Sequence, residues 1–288
     1  MSARLPTDPP EQTARGDASA AAPAVRWRPS PWMRSSIALH AGAIGLTALR
    51  PHLWPWTLGA VIANHLQLTA TGLWPRSSSL GSNWIRLPAA AAARGEVAIT
   101  IDDGPDPEVT PQVLAALERY GARATFFCIG ERAERFADCV RECVRAGHTI
   151  ENHSYRHAHS FSLLGLRGLR REIEHAQQVL GRVSGQVPRF FRAPAGLRSP
   201  LLDPVLQRLG LQLASWTRRG FDTVNADPQT VLRRLTRDLA AGDILLLHDG
   251  HAARTSRGAP VVLEVLPPLL EALAQRGLKC VTLTQALA

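Results

Sequence analysis

Lysine is almost missing from this chain: among 33 basic residues, only Lys279 is not arginine. The formal net charge is +9, but the arginines are scattered. No basic helix interleaved with aromatics and no RNA-binding signature accompanies them, which sets aside a nucleic-acid partner. Basic residues beside an apolar segment suit instead an anionic surface or a phosphate-bearing substrate. Cysteine is scarce too: Cys128, Cys139, Cys143 and Cys280 contain no CxxC pair. Cys139 and Cys143 lie four apart on an expected helix, poor geometry for a disulfide, and no nearby histidines complete a zinc cluster. That argues against a disulfide framework and for reduced thiols, in keeping with a reducing compartment. No A-x-A site follows the first apolar region, which starts late, and this argues against a cleaved signal peptide.

What is present is enough hydrophobic sequence, 45% of 288 residues, for one large α/β domain with additions. Residues 1–30 are rich in Ala, Pro and small polar residues without hydrophobic period, and read as a disordered tail. Two apolar stretches follow, 35–49 and 53–74, separated by Arg50-Pro51-His52. The second is long enough to cross a bilayer and carries Trp at both ends. The expectation is therefore a hydrophobic, membrane-associated helical segment over 31–76, with membrane contact through 35–74, and a linker over 77–94. Arginines flank both stretches. If both cross, the main domain lies on the cytoplasmic face of a bacterial inner membrane.

From residue 95 to 288 short β-rich runs alternate with amphipathic segments. Strands are expected at 97–101, 124–128, 148–152, 189–191, 212–216, 244–247 and 280–283. Helices are expected near 110–120, 131–146, 164–180, 200–209, 228–240 and 261–275. Strand–helix alternation predicts an α/β fold with parallel strands and outer helices, a barrel or incomplete barrel of about seven strands. Such folds carry functional groups at the C-terminal strand ends.

Polar residues gather at those ends. Asp102-Asp103 follow the first strand, "HSYRH" (153–157) the third, "RAPAG" (192–196) the fourth, "TRRGFDT" (217–223) the fifth and "HDG" (248–250) the sixth. His153 and His157, four apart, suit two imidazoles on one metal, and a carboxylate from a neighbouring strand end supplies a third ligand. Two His and one carboxylate with open positions make a hydrolytic site of the zinc type. One aspartate then binds the metal and the other takes a proton from water as general base. Spacing alone does not say which does which. His148, His159, His175 and His251 lack partners at ligand spacing and read as ordinary histidines, with His251 the best placed to line the rim. Trp216 reads as barrel or pocket wall.

Residues 95–288 resemble the polysaccharide deacetylases with a NodB homology domain, carbohydrate esterase family 4. "TIDDGP" (100–105), "HSYRH" (153–157), "RAPAG" (192–196) and "LLHD" (246–249) follow the family's motifs in order. The resemblance implies a distorted (β/α)7 barrel and a metal-dependent hydrolase that removes an N-acetyl or N-formyl group from an amino sugar of a glycan or glycan precursor. It implies Asp103, His153 and His157 as ligands of a divalent metal, most simply zinc, with cobalt, nickel or manganese also accepted by such ligands. It further implies Asp102 as catalytic base, oriented by Arg192, and His248 as the acid that protonates the leaving amine, supported by Asp222. The backbone N–H of Ala195 would face the oxyanion. Ala195 replaces the family's Tyr or Phe, Thr223 a frequent Trp, and Ile101 the usual Phe. The first two remove aromatic platforms, so a small or lipid-linked sugar is expected over a long glycan. An undecaprenyl-linked substrate at the cytoplasmic membrane face is one alternative, and a catalytically inactive glycan-binding membrane protein another. Nothing in the sequence specifies an oligomeric state.

Overall fold

Alternation along the strands determines which side chains face which layer. In the computed structural model, which describes residues 27–288, Val97, Ile99 and Ile101 point into one hydrophobic layer, while Ala98, Thr100 and Asp102 point to the other face. The same period places Phe126 and Cys128 with Leu245 and Leu247 in the first layer, and Phe127, Ile244 and Leu246 in the second. The expected disordered tail falls mainly on residues 1–26, outside the described residues.

Eight strands form: β1 (Glu96–Asp102), β2 (Ala124–Cys128), β3 (Thr149–Asn152), β4 (Phe190–Phe191), β5 (Gln212–Leu213), β6 (Arg218–Arg219), β7 (Ile244–His248) and β8 (Lys279–Cys280). All pairings are parallel, in the order β5-β4-β3-β2-β1-β7-β6, with β8 added to the start of β1. Helices α1 (Pro31–Leu49), α2 (Trp54–Gly72) and α3 (Ala89–Ala93) precede the sheet. Helices α4 (Thr110–Arg119), α5 (Gly130–Arg135), α6 (Ala137–Arg145), α7 (Leu166–Ser184), α8 (Leu202–Arg208), α9 (Pro228–Thr236) and α10 (Val261–Gln275) connect the strands. The single helix expected over 131–146 is two, α5 and α6, meeting at Phe136.

The sheet is an open half-barrel of parallel strands, the incomplete form of the barrel expected from strand–helix alternation. Its end strands, β5 and β6, do not pair with each other among the described residues. Segment 84–87 spans this opening. Trp84 bridges Ala214, its N–H bonded to Leu213 O and its carbonyl accepting from the Ser215 N–H, while Arg86 bridges Asp243. Leu87 N–H reaches Gly242 O.

Helices α1 and α2 form an antiparallel hairpin joined by polar side chains: Ser36 Oγ donates to Asn64 Oδ1 at 2.7 Å, and Thr47 and Thr57 share a bond of 2.7 Å. Those polar residues, with His40, His65 and Gln67, dilute the hydropathy of the two 19-residue helices. No helix among the described residues is long and apolar enough to cross a membrane. This overturns the expected membrane segment at 31–76. It also removes the basis for an inner-membrane location with a cytoplasmic domain, which rested on two spans. The hairpin base packs on the domain through Met33, Leu68 and Leu80, and Gly72 O accepts from the Arg198 N–H.

Candidate active site

The four central strands end on one rim, and their register decides what stands together there. Asp102 is the last residue of β1 and lies directly opposite His248, the last residue of β7. On the other side the ladder continues past the strand ends, with His153 N–H bonded to Cys128 O and Arg192 N–H to Asn152 O. Residues distant in sequence are thus set side by side.

Adjacent side chains on a strand diverge, so Asp102 and Asp103 could not meet if both were extended. Asp103 adopts φ 72°, in the left-handed region, and the chain turns there. Among the described residues six non-glycines have positive φ, and five of them, Asp103, Ser154, His157, Ala195 and Phe221, lie in or beside the site. Backbone strain concentrated in this way marks positions that packing holds for a chemical reason.

Arg192 is 1% exposed and every arm is occupied. Nη1 donates to Asp102 Oδ1 at 2.7 Å and to Thr100 Oγ1 at 2.8 Å, Nη2 to Ser215 O at 2.7 Å and Nε to Ala214 O at 3.1 Å. Its guanidinium lies over the Phe127 ring, 4.1 Å from the centroid. Asp102 is thereby held by one oxygen, and Oδ2 faces the pocket, 3.7 Å from His153 Nε2.

His248 is clamped from behind. Its backbone N–H donates to Asp222 Oδ2 at 2.8 Å and its Nδ1 meets Asp222 Oδ1 at 2.9 Å. A carboxylate only accepts, so Nδ1 carries the proton and Nε2 is left toward the cavity. Burial alone would disfavour the imidazolium, but the Asp222 carboxylate outweighs it and raises the His248 pKa.

The residues present fit a metal ion. One ligand atom each from Asp103, His153 and His157 lie within 4.8 Å of one another. Nε2 of His153 and Nε2 of His157 both stand 3.2 Å from Asp103 Oδ1, and this buried oxygen has no hydrogen-bond partner. His153 Nδ1 is 2.9 Å from the carbonyl of Arg192, an acceptor, so Nδ1 bears the hydrogen and Nε2 offers a lone pair. Lone pairs converging without a donor call for a cation between them. Burial disfavours a charged His153, yet the Asp102 and Asp103 carboxylates outweigh it and raise its pKa, so a metal ion there would compete with a proton for Nε2. Burial and the neighbouring His153 lower His157 to about 4, keeping it neutral as a ligand must be. Asp103 would be raised by burial, but the imidazoles of His153 and His251 hold it well below the usual carboxylate range.

Around these groups lies an open cavity of about 520 Å³ that Ala195, Trp216, Arg219 and Thr223 help to line. The Ala195 turn is closed by the N–H groups of Gly196 and Leu197. Two features escaped the sequence reading. His251 places Nδ1 3.0 Å from Asp103 Oδ2, a contact that no ligand spacing signals. Arg219 lies over the rings of Trp216 and Phe221, at 5.3 and 5.0 Å, and its buried Nε has no hydrogen-bond partner. His148 and His175 sit elsewhere, His148 accepting from the Ala124 N–H and His175 stacked on Tyr155, whereas His159 lines the cavity.

Residues 89–214 match the family model described as polysaccharide deacetylase. A peptidoglycan-N-acetylglucosamine deacetylase of Bacillus cereus is 33% identical over 193 residues, covering 66% of this chain and 87% of that protein. A chitooligosaccharide deacetylase of Azorhizobium caulinodans is 34% identical over 158 residues, 54% of this chain and 75% of that one. A family 4 carbohydrate esterase from Streptomyces lividans, solved in complex with acetate, superposes with a TM-score of 0.58 at 33% identity, over 65% of this chain and 91% of its own.

Proposed function

We infer, for a chain that belongs to the polysaccharide deacetylase family and acts as an amino-sugar deacetylase, that hydrolysis uses a divalent metal held by Asp103, His153 and His157. The observation that carries this reading is the unpartnered Asp103 Oδ1, with the lone pair of His153 Nε2 aimed at it from 3.2 Å. When bound, such an ion polarises the amide carbonyl and makes water more acidic. Asp102 accepts the water's proton on Oδ2, because Oδ1 is engaged by Arg192. The Ala195 backbone N–H faces the developing oxyanion, a preorganised dipole that needs no rearrangement. His248, its Nδ1 held by Asp222, donates from Nε2 to the departing nitrogen. The products are acetate and a free amine.

On substrate size, Ala195 and Thr223 leave the cavity without two aromatic platforms, and Trp216 and Phe221 flank Arg219 instead. A short or phosphate-linked N-acetyl amino sugar fits this lining better than a long neutral glycan, with Arg219 facing the anionic substituent. The test is acetate release by the full chain from free, oligomeric and phosphate-linked N-acetylglucosamine, before and after metal removal by a chelator. Loss on chelation and recovery with zinc are expected, with phosphate-linked sugar turned over fastest. Undiminished turnover in a metal-free preparation would sink the metal reading. Preference for chitin oligomers longer than four units would sink the substrate reading alone.

A further inference from the structure

His251 lies on the loop that leaves β7 just after His248, and among the described residues it is the one histidine whose contact is with the far oxygen of the Asp103 carboxylate. Oδ1 of Asp103 faces His153 and His157, while Oδ2 lies 3.0 Å from His251 Nδ1. At this distance Nδ1 of His251, in the tautomer that carries its hydrogen there, can donate to Oδ2, a carboxylate oxygen being an acceptor only. The loop is braced against the same aspartate. Gly250 passes so close that a Cβ there would run into the Asp103 backbone carbonyl. Arg132 ties the loop down, donating to Gly250 O at 3.3 Å and pairing with Asp106 at 3.0 Å. Asp249 N–H bonds to Asp102 O at 3.2 Å.

We propose that His251 is a positioning residue for the metal: its Nδ1–H occupies Oδ2 of Asp103, so that the carboxylate presents Oδ1 alone to the ion. A carboxylate free to rotate could offer both oxygens, and each extra one would take a position needed by water or the acyl oxygen. Hydrogen-bond partners of metal ligands set ligand orientation, and their loss commonly weakens metal binding about 10–100-fold. The inference rests on the metal reading above. The residue suits a clean test, since its side chain is 56% exposed and its removal leaves no core cavity.

The experiment measures zinc affinity of the full chain by competition with a chromophoric chelator, for the native protein, His153→Ala, His251→Ala and His251→Asn. Native protein should bind one zinc tightly and His153→Ala should lose it. His251→Ala should bind about 10–100-fold more weakly, with deacetylation restored by excess zinc. Asn places an amide N–H where Nδ1 stood, so His251→Asn should return to within a few-fold of native. If His251→Ala matches native affinity, or if His251→Asn is as weak as His251→Ala, the positioning role is overturned while the metal site stands. If native protein binds no zinc, or His153→Ala binds as well as native, the metal reading falls first and this inference with it. Coincident thermal unfolding of the zinc-free proteins identifies variants that fold normally.

Discussion

Asp243 and Asp102 are both buried aspartates facing arginine, at opposite ends of the central strands. Asp243, just before β7, has Arg86 Nη1 at 2.8 Å from Oδ1, and its Oδ2 accepts from Arg218 Nε at 3.0 Å and the Ala240 N–H at 3.1 Å. Its arginines come from segment 84–87 and from β6, so the carboxylate joins the piece that spans the half-barrel's opening to the strand beside it. Asp102 has one arginine on one oxygen and leaves the other toward a cavity. The lesson lies in this asymmetry. Asp243 has an arginine against each oxygen, Oδ1 by ion pairing alone without a hydrogen bond, whereas Asp102, placed for proton transfer, keeps an oxygen free at a strained rim.

The largest effect expected from breaking this comparison is at Asp102. Asp102→Asn keeps an oxygen that Arg192 can hold but cannot accept the water's proton. kcat should fall about 10²–10⁴-fold with little change in Tm, measured by acetate release and calorimetry. Asp243→Ala should invert the pattern, costing about 3 kcal/mol of stability in denaturant unfolding because two arginines lose their partner. Its activity per folded molecule should stay near native. Equal losses of rate and stability in both variants would erase the distinction between the two ends.

Asp222→Asn sharpens it at the rim. Asp222 raises the His248 pKa, and the acid acts only while protonated, so its removal lowers that pKa. The alkaline limb of the kcat/KM profile should therefore move to lower pH, and an unmoved limb would show that His248 is not the acid. The smallest effect is expected at Arg86→Ala. Arg86 is 46% exposed and Arg218 still engages Asp243, so about 0.5–1 kcal/mol should be lost in denaturant unfolding.

Much of this was legible beforehand because strand–helix alternation and strand-end polarity are local signals. The apolar runs at 97–101 and 124–128 and the amphipathic run at 261–275 lie where β1, β2 and α10 form. Closure was not local. Arg218–Arg219 is too short and too charged to read as a strand, and Trp84–Leu87, read as linker, finds its partners more than 120 residues away. The hairpin misled for a related reason. Its Ser36–Asn64 and Thr47–Thr57 pairs appear in sequence as isolated polar residues within apolar stretches, and only folding shows that they satisfy each other.

By itself the sequence determined the family, through four motifs in order, and which residue types stand at the rim, because a strand's last residue can be found from its hydrophobic period. Only the tertiary structure decided how those residues face one another. It chose the His153 tautomer through the Arg192 carbonyl, left Asp103 Oδ1 without a donor and brought His251 to Oδ2. Such choices depend on hydrogen-bond directions across a turn and between strands, and these exist only once β1, β3, β4 and β7 have been packed into one sheet.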